Sequence, residues 1–329
     1  MKRRIDIEVL RILCIIIVVL FHTSGRYSHP DIATPLPEFF KREVNCAIWI
    51  AVPMFLFISG FLFSKQIKRN KYPTYFLFIN KKAQRLLIPY VCFSTIIMIS
   101  SGFFDIMEIL RGGFWHLWFL PTLFCCFAAY YLIFRNPHSF STIYDFIILI
   151  ISFVLSLIHI PEQYCFLGID GALKWGVYFV LGMITANHEA EFRISMKKYM
   201  LWIPLLLIWI INSIFYFTPY MQPSWNNTIA VSACILSIFY IFQNIKLNQL
   251  TTKFTLSISN ASMGIYILHY WVLIYATSTT SFHLIGCFNP ISVPLTIFLV
   301  IAISIIVIII SYIGTITLKM NQITKPLIG

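Results

Sequence analysis

Charge is what this sequence has least of. Only 11% of its 329 residues are charged, against about 25% in soluble globular domains. Acids are scarcer still, 12 Asp and Glu against 24 Lys and Arg. A chain so poor in charge does not read as a soluble protein. The eight Cys include no CxxC pair, there is no phosphate-cradling P-loop or GxGxxG, and no His/Cys/Asp/Glu cluster has metal-ligand spacing. No metal site is therefore expected. Internal repeats, low-complexity linkers and a soluble domain are also missing, so residues 1–329 are expected to form a single membrane domain. A cleavable leader is not expected either. Lys2, Arg3 and Arg4 precede the first apolar run, but Arg11 interrupts it and no small-x-small site closes it.

What remains is apolar. The chain is 59% hydrophobic and 17% aromatic, with a mean hydropathy of +0.82. Apolar runs near 5–25, 44–64, 86–104, 115–134, 143–160, 171–187, 200–217, 228–244, 262–279 and 293–316 are each sized for a bilayer core of about 30 Å. The expected fold is all-α: a polytopic integral membrane bundle of about ten transmembrane helices. With the first residues inside, 18 of the 24 Lys and Arg fall in cytoplasmic segments and 5 in outer ones. That bias sets both termini in the cytoplasm and explains the net charge of +12 without nucleic acid. Seven cations crowd into Lys65–Arg85, where anionic lipid headgroups are one natural partner. The outer loops hold Asp31, Glu38, Glu43, Glu162 and Asp170 with Tyr27, Tyr164, Tyr220 and Trp225. These aromatics are interfacial anchors or platforms for sugar rings. Most Cys read as small buried hydrophobes, while Cys46, Cys165 and Cys287 leave room for a disulfide near the outer face.

Two residues of the first helix stand out. Arg11 lies at a depth where a charge costs at least ~2.5 kcal/mol. His22 follows eleven residues later, within ~20° of the same helical face and about 16 Å along the axis. For Arg11 one reading is an ion pair with Glu8 at i−3. The other is recognition of an anion from the cytoplasm, for which a guanidinium fork is suited. His22 is either a hydrogen-bonded polar residue near the interface or a general base working near neutral pH. His116 sits in the aromatic run Phe114–Leu120. Ser259, Ser262, Tyr266 and His269 recur every three or four residues, a polar stripe that faces a bundle interior or cavity. His29, His138, His159, His188 and His283 are assigned no role.

The motifs together resemble the membrane acyltransferase-3 family. Arg11-x10-His22 looks like its first-helix hallmark, preceded by Glu8-Val9-Leu10. Pro53 to Leu62, ending Ser59-Gly60-Phe61-Leu62, resembles its second-helix motif. Lys82-Ala83-Gln84-Arg85-Leu86-Leu87-Ile88-Pro89 resembles its Arg-x-x-Arg box, with Lys82 where Arg is usual. His116-Leu117-Trp118-Phe119-Leu120 and Ser259 to His269 resemble two more. The resemblance implies a ten-helix enzyme of a bacterial inner membrane. It would move an acetyl or other short acyl group from cytoplasmic acyl-CoA to a hydroxyl of a cell-envelope polysaccharide or its lipid-linked precursor. Arg11, Lys82 and Arg85 would then hold the phosphates of acetyl-CoA, and His22 would be catalytic. Glu8, His116, Trp118, Ser262, Tyr266 and His269 would support, with Tyr266 and Trp118 as candidate oxyanion donors. Lacking the hydrolase-like domain that some members append, any second transfer would need a separate periplasmic or extracellular partner. Whether His22 acts as a base or carries the acyl group stays open. A proton-coupled transporter or flippase for a polysaccharide precursor is the rival reading. Against it stand the lack of an inverted repeat and of paired broken helices.

Overall fold

A computed structural model describes residues 3–26, 36–72, 74–102, 105–134, 142–161, 164–215, 225–243, 245–278, 292–322 and 324–328. Its long elements are α1 (Ile5–Arg26), α2 (Glu38–Ile67), α3 (Tyr75–Ser101), α4 (Ile106–Arg111), α5 (Phe119–Phe134), α6 (Thr142–Ser156), α7 (Ile169–Asn187), α8 (Glu189–Lys198), α9 (Trp202–Phe215), α10 (Trp225–Phe242), α11 (Gln249–Ser278) and α12 (Val293–Met320). A 3-10 turn, Trp115–Trp118, leads into α5, and another, Lys325–Ile328, follows α12. Among the described residues there is no strand. Local chemistry sets several boundaries. The Thr74 hydroxyl accepts from Leu77 N–H at 3.3 Å and starts α3, while Asp105 accepts from Met107 N–H at 2.9 Å and starts α4. Gly102 and Gly112, at φ 68° and 82°, close the same two helices in the left-handed conformation that lacks a Cβ penalty.

The ten expected intervals all hold helix, but they differ as spans. Among the described residues, six stretches are long and apolar enough to cross a membrane: α2, α3, Ile106–Phe134, α7, α10 and α12. The count is seven if α8 and α9, bent by 82° at a short break, form one span. α6 is apolar but only 15 residues long. α1 carries Arg11 and His22, and α11 carries the polar stripe from Ser259 to His269. Residues 27, 29, 31, 138, 162, 220, 283 and 287, named above in loops, lie outside the described residues. Cys46 is buried and Cys165 half-buried, and they are not bonded to each other.

The chain forms two compact units. The first contains α1, α2 up to Val52, α11, α12 and the closing 3-10 turn. Here α11 packs against α1 and α12, and α1 also meets α12. Gly264 is where α12 and the closing turn press on α11. A Cβ there would sit 2.4 Å from Thr315 and 2.5 Å from Ile328. Leu36 and Val300 are fully buried against Leu20, Phe40, Ile297 and Ile303.

The second unit runs from Pro53 in α2 through α10. Its core is aromatic: Phe63 touches Phe78, Phe127, Tyr131 and Phe179, and Phe78 stacks on Tyr131 at 4.6 Å. Each such pair is worth about 0.5–1.5 kcal/mol beyond the area it buries. Helices α2 and α7 approach backbone to backbone. A Cβ on Gly60 would lie 2.0 Å from the Phe179 carbonyl oxygen, and one on Gly182 would lie 2.0 Å from that of Phe57. Small residues at such a seam are how helices pack closely in lipid, where no hydrophobic force pulls them together.

Candidate functional site

In the first unit, α1 and α11 lie alongside in the same direction and bring distant motifs together. Near the start of α1, Glu8 is buried, and its Oε2 accepts from two sides. Arg11 Nη1 donates from 3.4 Å within the helix, and the Ser259 hydroxyl donates from α11. A carboxylate taken out of water needs such partners. The ion pair weighed for Arg11 is therefore present. It takes one of the five N–H donors of a guanidinium, and the Arg11 side chain keeps 29% exposure. One residue along α11, the Asn260 side-chain oxygen accepts from the Arg3 guanidinium, and its backbone carbonyl accepts from Lys319 Nζ of α12 at 2.8 Å. Arg4 is held by Asp6.

Farther along the same two helices, the His22 ring sits 5.2 Å from that of His269, tilted by 45°. Tyr270 meets His22 edge-on at 5.3 Å, and Phe21 does so at 5.2 Å. His269 is fully buried. Its Nδ1 lies 2.7 Å from the carbonyl oxygen of Tyr266 and 3.1 Å from that of Ile265. Carbonyls only accept, so Nδ1 carries the proton, and in the neutral ring Nε2 is an acceptor. The Tyr266 ring is 6.0 Å from His269, and Ser262 is half-buried on the same helix. The two imidazoles are thus in ring contact, with the tautomer of one fixed by backbone carbonyls. Along α1, Glu8, which pairs with Arg11, and His22 are thus both met by α11.

The other expected site residues fall in the second unit. Lys82 on α3 places its ammonium 3.6 Å from the centre of the Phe127 ring and 5.3 Å from that of Phe78, a cation held over aromatic faces. Arg85, one turn on, is exposed. His116 is buried in the 3-10 turn behind Trp115, whose φ of 45° is unusual for a non-glycine residue. Trp118 leans on Trp175 at 6.1 Å and meets Phe119 edge-on. The Tyr90 hydroxyl donates to the Ile109 carbonyl at 2.9 Å and accepts from Phe114 N–H, which fixes the entry to this turn.

Two features escaped the sequence. Tyr270 adjoins His22, but as one aromatic among 17% it carried no signal. His188, given no role above, has Nε2 2.9 Å from Oδ2 of Asp145, a carboxylate 2% exposed that also takes Asn187 Nδ2 at 3.4 Å. An acid inside an apolar run such as Thr142–Ser156 was the available clue. Among the described residues no group of three or more His, Cys, Asp or Glu could hold a metal ion.

Compared with known proteins, residues 4–314 match a family model described as an acyltransferase domain. No curated protein and no solved structure matches the chain.

Proposed function

This chain belongs to the acyltransferase-3 family, whose domain covers residues 4–314, and from that premise we propose which groups it moves and how. It is a membrane acyltransferase. In the proposed reaction an acetyl or other short acyl group passes from acyl-CoA on the cytoplasmic side to a hydroxyl of a cell-envelope polysaccharide or its lipid-linked precursor. The pairing of His22 with His269, on the helix that also carries Arg11, is the observation that supports this reading. His22 accepts the proton of the acceptor hydroxyl as its oxygen attacks the thioester carbonyl carbon. The carbon–sulfur bond then breaks, and the proton passes to the departing thiolate of CoA. His269, with its own proton tied to two carbonyls, orients His22 through that step. Arg11 holds a donor phosphate, and Lys82 and Arg85 are proposed as further donor cations.

The matched domain runs through both compact units, which supports a single functional domain over 1–329. The distribution of Lys and Arg supports cytoplasmic termini in a bacterial inner membrane, with membrane lipids around the apolar helices.

The test is acyl transfer in membranes given radiolabelled acetyl-CoA. Wild type moves label into envelope glycan, and His22→Ala and Arg11→Ala lose it at equal expression. A wild type that neither binds acetyl-CoA nor moves label overturns the donor assignment and favours the transporter reading. Label appearing in free acetate alone instead indicates that a separate acyl-accepting partner is missing.

A further inference from the structure

Two cations, Arg3 just before α1 and Lys319 on α12, are fastened to Asn260 of α11, and a third, Arg11, is tied to the neighbouring Ser259 through Glu8. Asn260 accepts from Arg3 with its side chain and from Lys319 with its backbone, and Ser259 donates to the Glu8 carboxylate that holds Arg11. The two bonds to Asn260 go to neutral amide oxygens, and they fix the positions of an ammonium and a guanidinium. The two acids nearby are already engaged, Asp6 with Arg4 and Glu8 with Arg11 and Ser259. Arg3 and Asn260 are exposed, and Lys319 is partly so. A ligand from solution can therefore reach this end of the unit.

We propose that Ser259 and Asn260 organise an anion cradle of Arg3, Arg11 and Lys319 whose ligand is the phosphate-bearing head of a nucleotide thioester. This inference rests on the proposed function for the identity of the donor. It adds Arg3 and Lys319 as binding residues, and makes Ser259 and Asn260 positioning residues that act through them. Phosphate suits the site because guanidinium forks and an ammonium bind its oxygens by charge-assisted hydrogen bonds. Ser259 acts at one remove. By donating to Glu8 it limits the rotation of that carboxylate, and so fixes the direction in which Arg11 points.

Phosphate could also come from an anionic lipid headgroup, and the experiment separates the two sources. The full chain is placed in nanodiscs of zwitterionic lipid, and binding of adenosine 3′,5′-bisphosphate, the charged head without its thioester, is measured by calorimetry. Parallel nanodiscs containing phosphatidylglycerol report retention of anionic lipid. Arg3→Gln, Lys319→Gln and Asn260→Ala are each expected to weaken bisphosphate binding about three- to tenfold. In acyl transfer the loss falls on KM for acetyl-CoA, and saturating donor restores the rate. Ser259→Ala follows the same pattern, and Ser259→Thr, which keeps the hydroxyl, recovers wild-type KM.

Variants that transfer acyl groups and bind the bisphosphate like wild type overturn the cradle and leave the acyltransferase reading intact. Variants that change only lipid retention overturn it as well. A wild type that binds neither the bisphosphate nor acetyl-CoA overturns both. Bisphosphate binding that responds to the variants while no acyl group moves supports the cradle and overturns the proposed reaction.

Discussion

Asp145 and Glu8 are both buried carboxylates with a basic partner, yet their surroundings assign them different tasks. Asp145 is shielded almost completely, and its partner His188 keeps 31% of its side chain in solvent. Removing the imidazole leaves a buried carboxylate short of a hydrogen-bond partner, whereas removing the carboxylate leaves a partly exposed imidazole that water can reach. His188→Ala is therefore expected to lower stability by about 1–3 kcal/mol, and Asp145→Asn by less, as read from thermal unfolding of the purified protein. The reverse ranking would sink this account. At His22 the expectation is catalytic. His22→Ala should cut acyl transfer about 10²- to 10⁴-fold, the usual worth of a general base, while the unfolding temperature stays within a degree or two. His269→Ala should also slow transfer. If it instead leaves the rate untouched, the orienting role of the second ring is wrong.

Helices α2 and α7 approach each other closely, because Gly60 and Gly182 each face a carbonyl of the other helix. Gly60→Ala or Gly182→Ala places a methyl carbon about where an oxygen already stands, and overpacking of this kind costs about 1–3 kcal/mol. Gly25→Ala, with no atom within 4 Å of its Cβ, serves as the matched substitution with little effect. Gly60 could be singled out in the sequence because it closes the Ser59-Gly60-Phe61-Leu62 motif. The reason for it could not, since the opposing Gly182 lies 122 residues away in an unmarked apolar run. The site divides in the same way. Arg11, His22 and the stripe from Ser259 to His269 were legible because a polar group in lipid must have a purpose. That Ser259 reaches Glu8, or that two carbonyls hold the His269 proton, depends on how α11 is turned, and periodicity alone does not fix this. The number of spans was less legible still. α6 is short, and α8 and α9 are bent.

For the whole chain, the charge bias predicts a direction across the membrane. An impermeant thiol reagent applied outside intact cells should reach Tyr164→Cys and miss Lys71→Cys, with both reached once the membrane is opened. The opposite labelling would invert the proposed path of the donor. The division of site residues has a consequence for how the protein comes into being. Glu8 and Ser259 are 251 positions apart, and His22 meets a ring that belongs to the second-last of the long helices. The ribosome delivers α1 long before α11, so during most of synthesis Glu8 and His22 stand in the bilayer without the helix that answers them. If His22 is the proposed base, its pairing with His269 forms only when α11 docks. On the proposed mechanism, a nascent or truncated chain would be silent toward an acyl thioester, and completion of the protein would itself guard against squandering donor.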